Sequence, residues 1–87
     1  MTFEFDPAKS AANKTKHGVD FVEAQAIWNA EIYEEPSVIE VSEPRFSVTG
    51  KINGKFYTAI ITYRGAAVRI ISVRRCRPEE KENYENS

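Results

Sequence analysis

The sequence predicts an α+β fold in which an antiparallel meander β-sheet carries two N-terminal helices and one C-terminal helix, all packed on one side. Helix signals occupy residues 6–29 and 78–85, whereas strand-like alternation fills most of residues 32–75. Asn53-Gly54 separates two β-rich segments, which is the strongest short signal for a hairpin. Because 87 residues supply one hydrophobic core, we expect residues 1–87 to form a single domain.

The first helix is expected over residues 7–17. Asp6 suits its N-cap and Pro7 its first position, while Gly18 suits the left-handed residue that follows a helix. Capping residues on both sides therefore define this helix from the sequence.

Two further helices have weaker boundaries. The pair Asp20 and Glu23 has the spacing of a capping box, so a second helix is expected from Asp20 to Asn29. Pro78 predicts the start of a short helix over residues 78–85.

Strand signals give the rest of the fold. The expected strands are 3–5, 32–41, 45–52, 55–63 and 67–75, in the overall order β-α-α-β-β-β-β-α. Pro36 restricts the second strand to an edge position or a bulge. The last strand is apolar on both faces at its middle, which indicates a central position in the sheet.

Charge is segregated along the chain, although the net charge is only −1. Residues 20–43 contain seven acidic side chains and no Lys or Arg, whereas residues 44–77 contain eight basic side chains and no Asp or Glu. The basic, strand-rich block is a candidate surface for a polyanion. The alternative is that acidic and basic strands neutralise each other side by side.

Several classes of protein are not expected. A single cysteine, Cys76, excludes an internal disulfide, and with His17 alone to help it predicts no metal site. The chain has no Walker loop, no dinucleotide-binding glycine motif and no Ser-His-Asp order, so we expect no cofactor. Apolar runs are too short for a membrane helix and the N-terminus does not resemble a signal peptide, which predicts a cytoplasmic protein without membrane contact.

Arginines at the end of the last strand are candidates for phosphate binding. Arg74, Arg75 and Arg77 lie within four residues. Strict alternation places Ser72 on the Arg74 face and Arg69 on the Arg75 face. Guanidinium groups bind phosphate through two parallel hydrogen bonds and keep their charge. The alternative is that these arginines are solvated or paired with carboxylates such as Glu80.

His17 is the only histidine and the obvious near-neutral proton donor. At a helix C-terminus it has a second interpretation, as a cap. Lys16 beside it either binds phosphate or is solvated, and Asn13 is expected to anchor a neighbouring loop. Arg, Lys, His and Glu side chains suffice for metal-free cleavage of RNA by its own 2′-hydroxyl.

Two separated motifs resemble the BrnT family of toxins, in the same order and over nearly the whole chain. The matching residues are Phe3-Glu4-Phe5-Asp6, Lys9, Asn13, Lys16-His17-Gly18-Val19-Asp20-Phe21, Arg69-Ile70-Ile71-Ser72-Val73-Arg74-Arg75, Glu80 and Tyr84. The chain departs from the family pattern at Cys76, where a small residue is usual, and in the short segment before Arg45.

The resemblance implies a RelE-like fold and an endoribonuclease toxin of a type II toxin-antitoxin system that inhibits translation. Its implied partner is a BrnA-like ribbon-helix-helix antitoxin, through which alone the toxin would reach operator DNA. The catalytic candidates transferred by position are Arg74, Arg75, Arg64, His17 and Glu80. The residues expected to bind RNA are Lys16, Arg69 and Arg77. The alternatives are a non-catalytic nucleic-acid-binding module, which the charge block would also explain, and a protein-interaction domain.

Overall fold

The computed structural model describes residues 1–37 and 42–87. The strands in these residues are β1 (Thr2–Glu4), β2 (Tyr33–Pro36), β3 (Phe46–Ile52), β4 (Lys55–Arg64) and β5 (Ala67–Arg75). The helices are α1 (Pro7–His17), a 3₁₀ helix (Glu23–Asn29) and α2 (Pro78–Glu85). The order and type of the elements are those predicted, except that the second helix is 3₁₀ rather than α.

The strands form one sheet in the order β1-β5-β4-β3-β2. Neighbours from β2 to β5 are antiparallel, so the predicted meander is present. The prediction of a wholly antiparallel sheet is wrong, because β1 pairs parallel to β5, from Thr2 opposite Ala67 to Glu4 opposite Arg69. A helix rather than a hairpin turn follows β1, so its direction is not tied to that of a sequential neighbour. The last strand, β5, lies inside the sheet, but the middle position belongs to β4.

The capping signals explain both ends of α1. The Asp6 carboxylate accepts hydrogen bonds from the N–H groups of Ala8 (2.8 Å) and Lys9 (3.3 Å). Gly18 follows the helix with φ of 79°, and its N–H donates to the Lys14 carbonyl. The helix therefore has the bounds that the sequence predicts.

The second helix is shorter than predicted and begins at Glu23 rather than Asp20. The expected capping pair is present, with Asp20 accepting from the Glu23 N–H (2.7 Å) and Glu23 accepting from the Asp20 N–H (3.0 Å). However, the Phe21 N–H donates to the Ser10 hydroxyl of α1 at 2.9 Å, and the Phe21 side chain is buried. These two contacts hold Phe21 in a turn, so the helix begins only at Glu23.

The core lies between one face of the sheet and the layer formed by α1 and the 3₁₀ helix. Its largest fully buried apolar side chains are Phe21, Ile27, Val48, Ile61, Ile70 and Val73. Gly50 lets the 3₁₀ helix approach β3, because a Cβ at this position would lie 2.8 Å from Cγ2 of Ile27. Burial of this apolar face drives the packing of the helices on the sheet.

Asn13 ties α1 to β5. Its side-chain Nδ2 donates to the carbonyls of Val19 (2.7 Å) and Val73 (2.9 Å), and its Oδ1 accepts from the Val73 N–H (3.2 Å). The parallel pairing of β1 reaches only residues 67–69 of β5, and Asn13 supplies hydrogen bonds beyond that point. The prediction that Asn13 anchors a neighbouring loop is confirmed.

Helix α2 lies on the other side of the sheet, so the prediction that all helices pack on one side is wrong. One row of paired residues across four strands consists of Tyr33, Thr49, Thr58 and Arg74. Each strand is displaced by one residue between this row and the neighbouring row that contains Val73, whose side chain is in the core. Side chains in the Arg74 row face away from the core. Glu80 of α2 bonds to Thr58 and Arg74, which draws the helix to that face.

The predicted hairpin turn at Asn53-Gly54 is present. Asn53 and Gly54 have φ of 50° and 78°, the left-handed values that a two-residue hairpin turn requires. The second predicted strand, 32–41, is observed over Tyr33–Pro36, and residues 38–41 lie outside the described part of the chain. The other strand boundaries agree with the prediction to within one residue.

A β-bulge changes the face on which Arg69 lies. Ile60 pairs with Ser72 and Ile61 with Ile70, which leaves Ile71 without an opposite residue. Thr62 therefore pairs with Arg69, and Arg69 shares a face with Ser72 and Arg74. The prediction that Arg69 lies on the Arg75 face is wrong, because strict alternation does not hold across the bulge.

Among the residues described, no helix has the length and apolarity needed to cross a membrane.

Candidate functional site

The face of the sheet opposite the core, which we call the α2 face, contains a cavity. It has a volume of about 400 Å³. Its floor is the row of paired residues Glu35, Ser47, Ile60 and Ser72, one from each of four strands. The full lining is Glu35, Pro36, Ser37, Ser47, Ile60, Ser72, Arg74, Arg77 and Glu80, and we call this space the Arg74 cavity.

Arg74 and Glu80 form a bidentate ion pair at the side of this cavity. Nη1 of Arg74 donates to Oε1 of Glu80 at 2.7 Å, and Nη2 donates to Oε2 at 2.8 Å. The side chains are 25% and 12% exposed, so the pair is largely shielded from water. Two parallel charge-assisted hydrogen bonds fix the plane of the guanidinium as well as its position.

Other donors hold the Glu80 carboxylate. Its Oε1 accepts from the backbone N–H of Arg77 (2.8 Å) and from the Thr58 hydroxyl (3.1 Å). The Thr58 and Thr49 hydroxyls are 3.0 Å apart and both are buried. The ion pair therefore rests on a hydrogen-bonded chain that joins β3, β4 and α2.

These contacts determine the charge of both groups. Burial of Glu80 acts to raise its pKa, but the hydrogen bonds from Arg74 and from the Arg77 backbone outweigh it and lower the pKa to about 2. The hydrogen bond to Glu80 is the main cause that raises the pKa of Arg74. Both groups are ionised at neutral pH, so Glu80 is not a proton donor there.

Arg74 retains unused hydrogen-bond donors. Of the five N–H groups of a guanidinium, two are used by Glu80, and Nη1 also donates to the Arg75 carbonyl at 3.3 Å. The Nε–H and the second Nη2–H have no partner among residues 1–37 and 42–87. These two N–H groups lie on one edge of the guanidinium, in the spacing that matches two oxygens of a phosphate.

Arg64 and Arg69 lie toward the β1 end of the α2 face, away from the Arg74 cavity. Arg69 pairs with Glu4 at 3.5 Å, and Arg64 pairs with Glu43 at 3.1 Å and Glu4 at 3.9 Å. Neutralisation of the basic segment 44–77 by the acidic segment 20–43, the alternative left open by the sequence, is therefore present at Arg64 through Glu43, whereas the partner of Arg69 is Glu4, outside the acidic segment.

The side chains of three other candidates do not line the Arg74 cavity, namely those of Arg75, His17 and Lys16. Arg75 is exposed at the end of β5, with its guanidinium 5.4 Å from the Tyr57 ring centroid and its Nε donating to the Phe56 carbonyl at 3.3 Å. His17 and Lys16 end α1, which covers the opposite face of the sheet from Arg74. Of the sequence-derived candidates, the cavity brings together Arg74, Arg77 and Glu80.

Sequence reasoning missed Glu35 and Ser47 as residues of the cavity. Glu35 accepts a hydrogen bond from the Tyr33 hydroxyl at 3.4 Å. The Asn53-Gly54 turn fixes the register of β3 against β4. The pairing of Ser47 with Ile60 was therefore predictable from the sequence. Nothing comparable fixes β2, whose connection to β3 contains residues 38–41.

Comparison with known families agrees with the resemblance in the sequence. A family model described as "Ribonuclease toxin, BrnT, of type II toxin-antitoxin system" matches residues 5–80. This range contains α1, the 3₁₀ helix, β2 to β5 and the whole of the Arg74 cavity. No curated protein matches the chain.

Proposed function

Because the chain belongs to the BrnT family of ribonuclease toxins of type II toxin-antitoxin systems, we propose that it cleaves RNA without a metal ion and thereby inhibits translation. Arg74 binds the phosphate that is cleaved. The observation that carries this assignment is the bidentate Arg74–Glu80 pair, which orients the guanidinium and leaves its Nε–Nη2 edge without a partner among the described residues.

The reaction needs little from the protein beyond positioned charge and proton transfer. The 2′-oxygen of the ribose bonds to the adjacent phosphorus, and the bond from phosphorus to the 5′-oxygen breaks. The 2′-hydroxyl proton passes to a base, and the leaving oxygen takes a proton from water. Negative charge grows on the phosphoryl oxygens in the transition state, where a fixed guanidinium stabilises it more than in the ground state.

Glu35 is the base in this scheme. It lines the Arg74 cavity, where its carboxylate can take the proton of the 2′-hydroxyl. Both carboxylate oxygens of Glu80 are instead hydrogen-bonded to Arg74. Glu80 acts as a positioning residue, because its pKa of about 2 makes it too weak a base for a ribose hydroxyl. His17 lies across the sheet on α1 and has no role in this scheme.

Type II systems pair the toxin with a protein antitoxin. We propose that this antitoxin is a BrnA-like ribbon-helix-helix protein and that the toxin reaches operator DNA only as part of that complex. Production of the toxin alone should arrest growth, and co-production of the antitoxin should restore it. Normal growth of cells that contain folded, unpartnered protein would contradict a toxin function.

The activity itself is tested with purified protein and labelled RNA in EDTA. We expect shorter fragments that end in 2′,3′-cyclic phosphate, formed by wild-type protein and not by Arg74→Ala. A non-catalytic nucleic-acid-binding module would retard the RNA in a gel and leave its length unchanged. That result would overturn the assignment of a nuclease.

A further inference from the structure

A cluster of positively charged side chains lies beside the Arg74 cavity, at the end of the sheet where α2 begins. The ammonium groups of Lys51 and Lys81 are 5.2 and 5.1 Å from the ring centroid of Phe56. Contact with the ring holds both cations near one aromatic side chain. Tyr84 packs edge-on against the same ring, with centroids 5.3 Å apart, and keeps Phe56 in place. We call Lys51, Phe56, Arg75, Arg77 and Lys81 the Phe56 cluster.

The cations of this cluster have no carboxylate partner among the described residues, whereas four of the other eight Lys and Arg side chains do. Lys14, Arg64, Arg69 and Arg74 each have a carboxylate within 4.0 Å. In residues 1–37 and 42–87, no such ion pair involves Lys51, Arg75, Arg77 or Lys81. Four neighbouring positive charges without a carboxylate partner repel one another and attract polyanions.

Every member of the cluster except Lys51 lines a second cavity of about 360 Å³. Its lining is Phe56, Arg75, Cys76, Arg77, Pro78 and Lys81, which includes no acidic side chain. Burial raises the pKa of the Cys76 thiol, so this side chain adds no negative charge at neutral pH. Arg77 lines both this cavity and the Arg74 cavity, so the two spaces adjoin.

We propose that the Phe56 cluster is a second phosphate subsite, which holds the RNA backbone next to the phosphate bound by Arg74. The inference rests on the proposed function, which places one phosphate of the RNA at Arg74. From there the same RNA strand would pass over Arg77 to Phe56. RNA is favoured over an acidic protein segment because the cluster continues the cavity in which RNA is cleaved. Its function is to hold substrate, and the chemistry remains at Arg74.

The test uses Lys51→Ala, Lys81→Ala and the double variant, which leave Arg74 and Arg77 intact. Lys9→Ala, an exposed lysine on α1 outside both cavities, is the matched control. The probe is a 2′-O-methylated single-stranded oligoribonucleotide of about 12 nucleotides, which binds and cannot be cleaved. Affinity is measured over a range of salt concentrations for each variant.

We expect the double variant to bind about tenfold more weakly and to lose about 0.7 from the slope of log affinity against log salt for each lysine removed. Lys9→Ala should change neither quantity. Cleavage of a dinucleoside monophosphate, which has only the scissile phosphate, should be the same in the double variant as in wild type.

Unchanged affinity and salt slope in the double variant would overturn the subsite. So would a loss of antitoxin binding while RNA binding is unchanged, because the cluster would then be a protein interface. If the expected change in salt slope occurs in a protein that cleaves no RNA, the subsite stands and the proposed nuclease function fails.

Discussion

The Glu80 carboxylate faces the Arg74 guanidinium edge to edge, with Oε1 and Oε2 lying 2.7 and 2.8 Å from Nη1 and Nη2. Glu80 belongs to α2 and Arg74 to β5, so this pair also fastens the last helix to the sheet. A guanidinium oriented before substrate arrives loses less conformational freedom in the transition state.

Removal of the Glu80 charge should lower stability in a pH-dependent way. The folded-state pKa of about 2 lies below the ordinary value of 4.5, so ionised Glu80 stabilises the fold fully above about pH 4.5. This contribution is lost as the pH falls toward 2. We expect Glu80→Gln to lower the free energy of unfolding by about 1 to 3 kcal/mol at neutral pH.

The measurement is urea denaturation of wild type and Glu80→Gln between pH 7 and pH 2.5, with exposed Glu79→Gln as the control. The difference between wild type and Glu80→Gln should shrink as the solution becomes acidic. A difference that stays constant over this pH range would mean that the carboxylate is not held in the ionised form by Arg74.

Asn13→Ala should destabilise the protein by about 2 to 4 kcal/mol, because three hydrogen bonds are lost and buried backbone groups of Val19 and Val73 are left without them. Thermal unfolding followed by circular dichroism measures the effect. Asn83→Ala, at an exposed position of α2, provides the matched control and should unfold like wild type. Equal melting of the two variants would show that the Asn13 amide is dispensable.

Gly50→Ala should lower stability by about 1 to 3 kcal/mol, since the added methyl group would lie 2.8 Å from Cγ2 of Ile27. The second substitution Ile27→Ala removes that atom. In this background Gly50→Ala should cost less, and the coupling energy from the double-mutant cycle measures the contact. Equal costs in both backgrounds would rule out a steric origin.

Local signals in the sequence account for much of this fold. Asp6 and Gly18 each act through their immediate neighbours, so the bounds of α1 follow from residues close in the chain. The Asn53-Gly54 turn is equally local, because the left-handed conformation of both residues dictates the hairpin. Such features depend on backbone conformation at one point and not on the rest of the molecule.

Features that depend on distant parts of the chain were not predictable in the same way. The bulge at Ile71 moves Arg69 to the Arg74 face, and it exists only through the pairing of β5 with Ile60 and Ile61 of β4. Glu35 enters the cavity through the register of β2 against β3. Alternation already separated Arg74 from Arg75, and Glu80 was a possible partner, but the face of Arg69 and the bidentate pairing of Glu80 with Arg74 required the structure.

The central claim is that the fork of Arg74 stabilises the transition state of RNA cleavage. Arg74→Lys keeps the positive charge and the ion pair with Glu80 but lacks the second phosphate-binding edge. Lys14→Ala, which removes an exposed ion pair with Glu23 in the opposite layer, controls for the loss of a salt bridge. Melting temperatures verify that each variant is folded.

The most direct measurement is the single-turnover rate of RNA fragment formation in EDTA for wild type, Arg74→Lys and Lys14→Ala. The account predicts cleavage by wild type and Lys14→Ala at similar rates, and a rate about 10² to 10³ lower for folded Arg74→Lys. A wild-type rate in Arg74→Lys, or loss of all wild-type activity in EDTA, would contradict it.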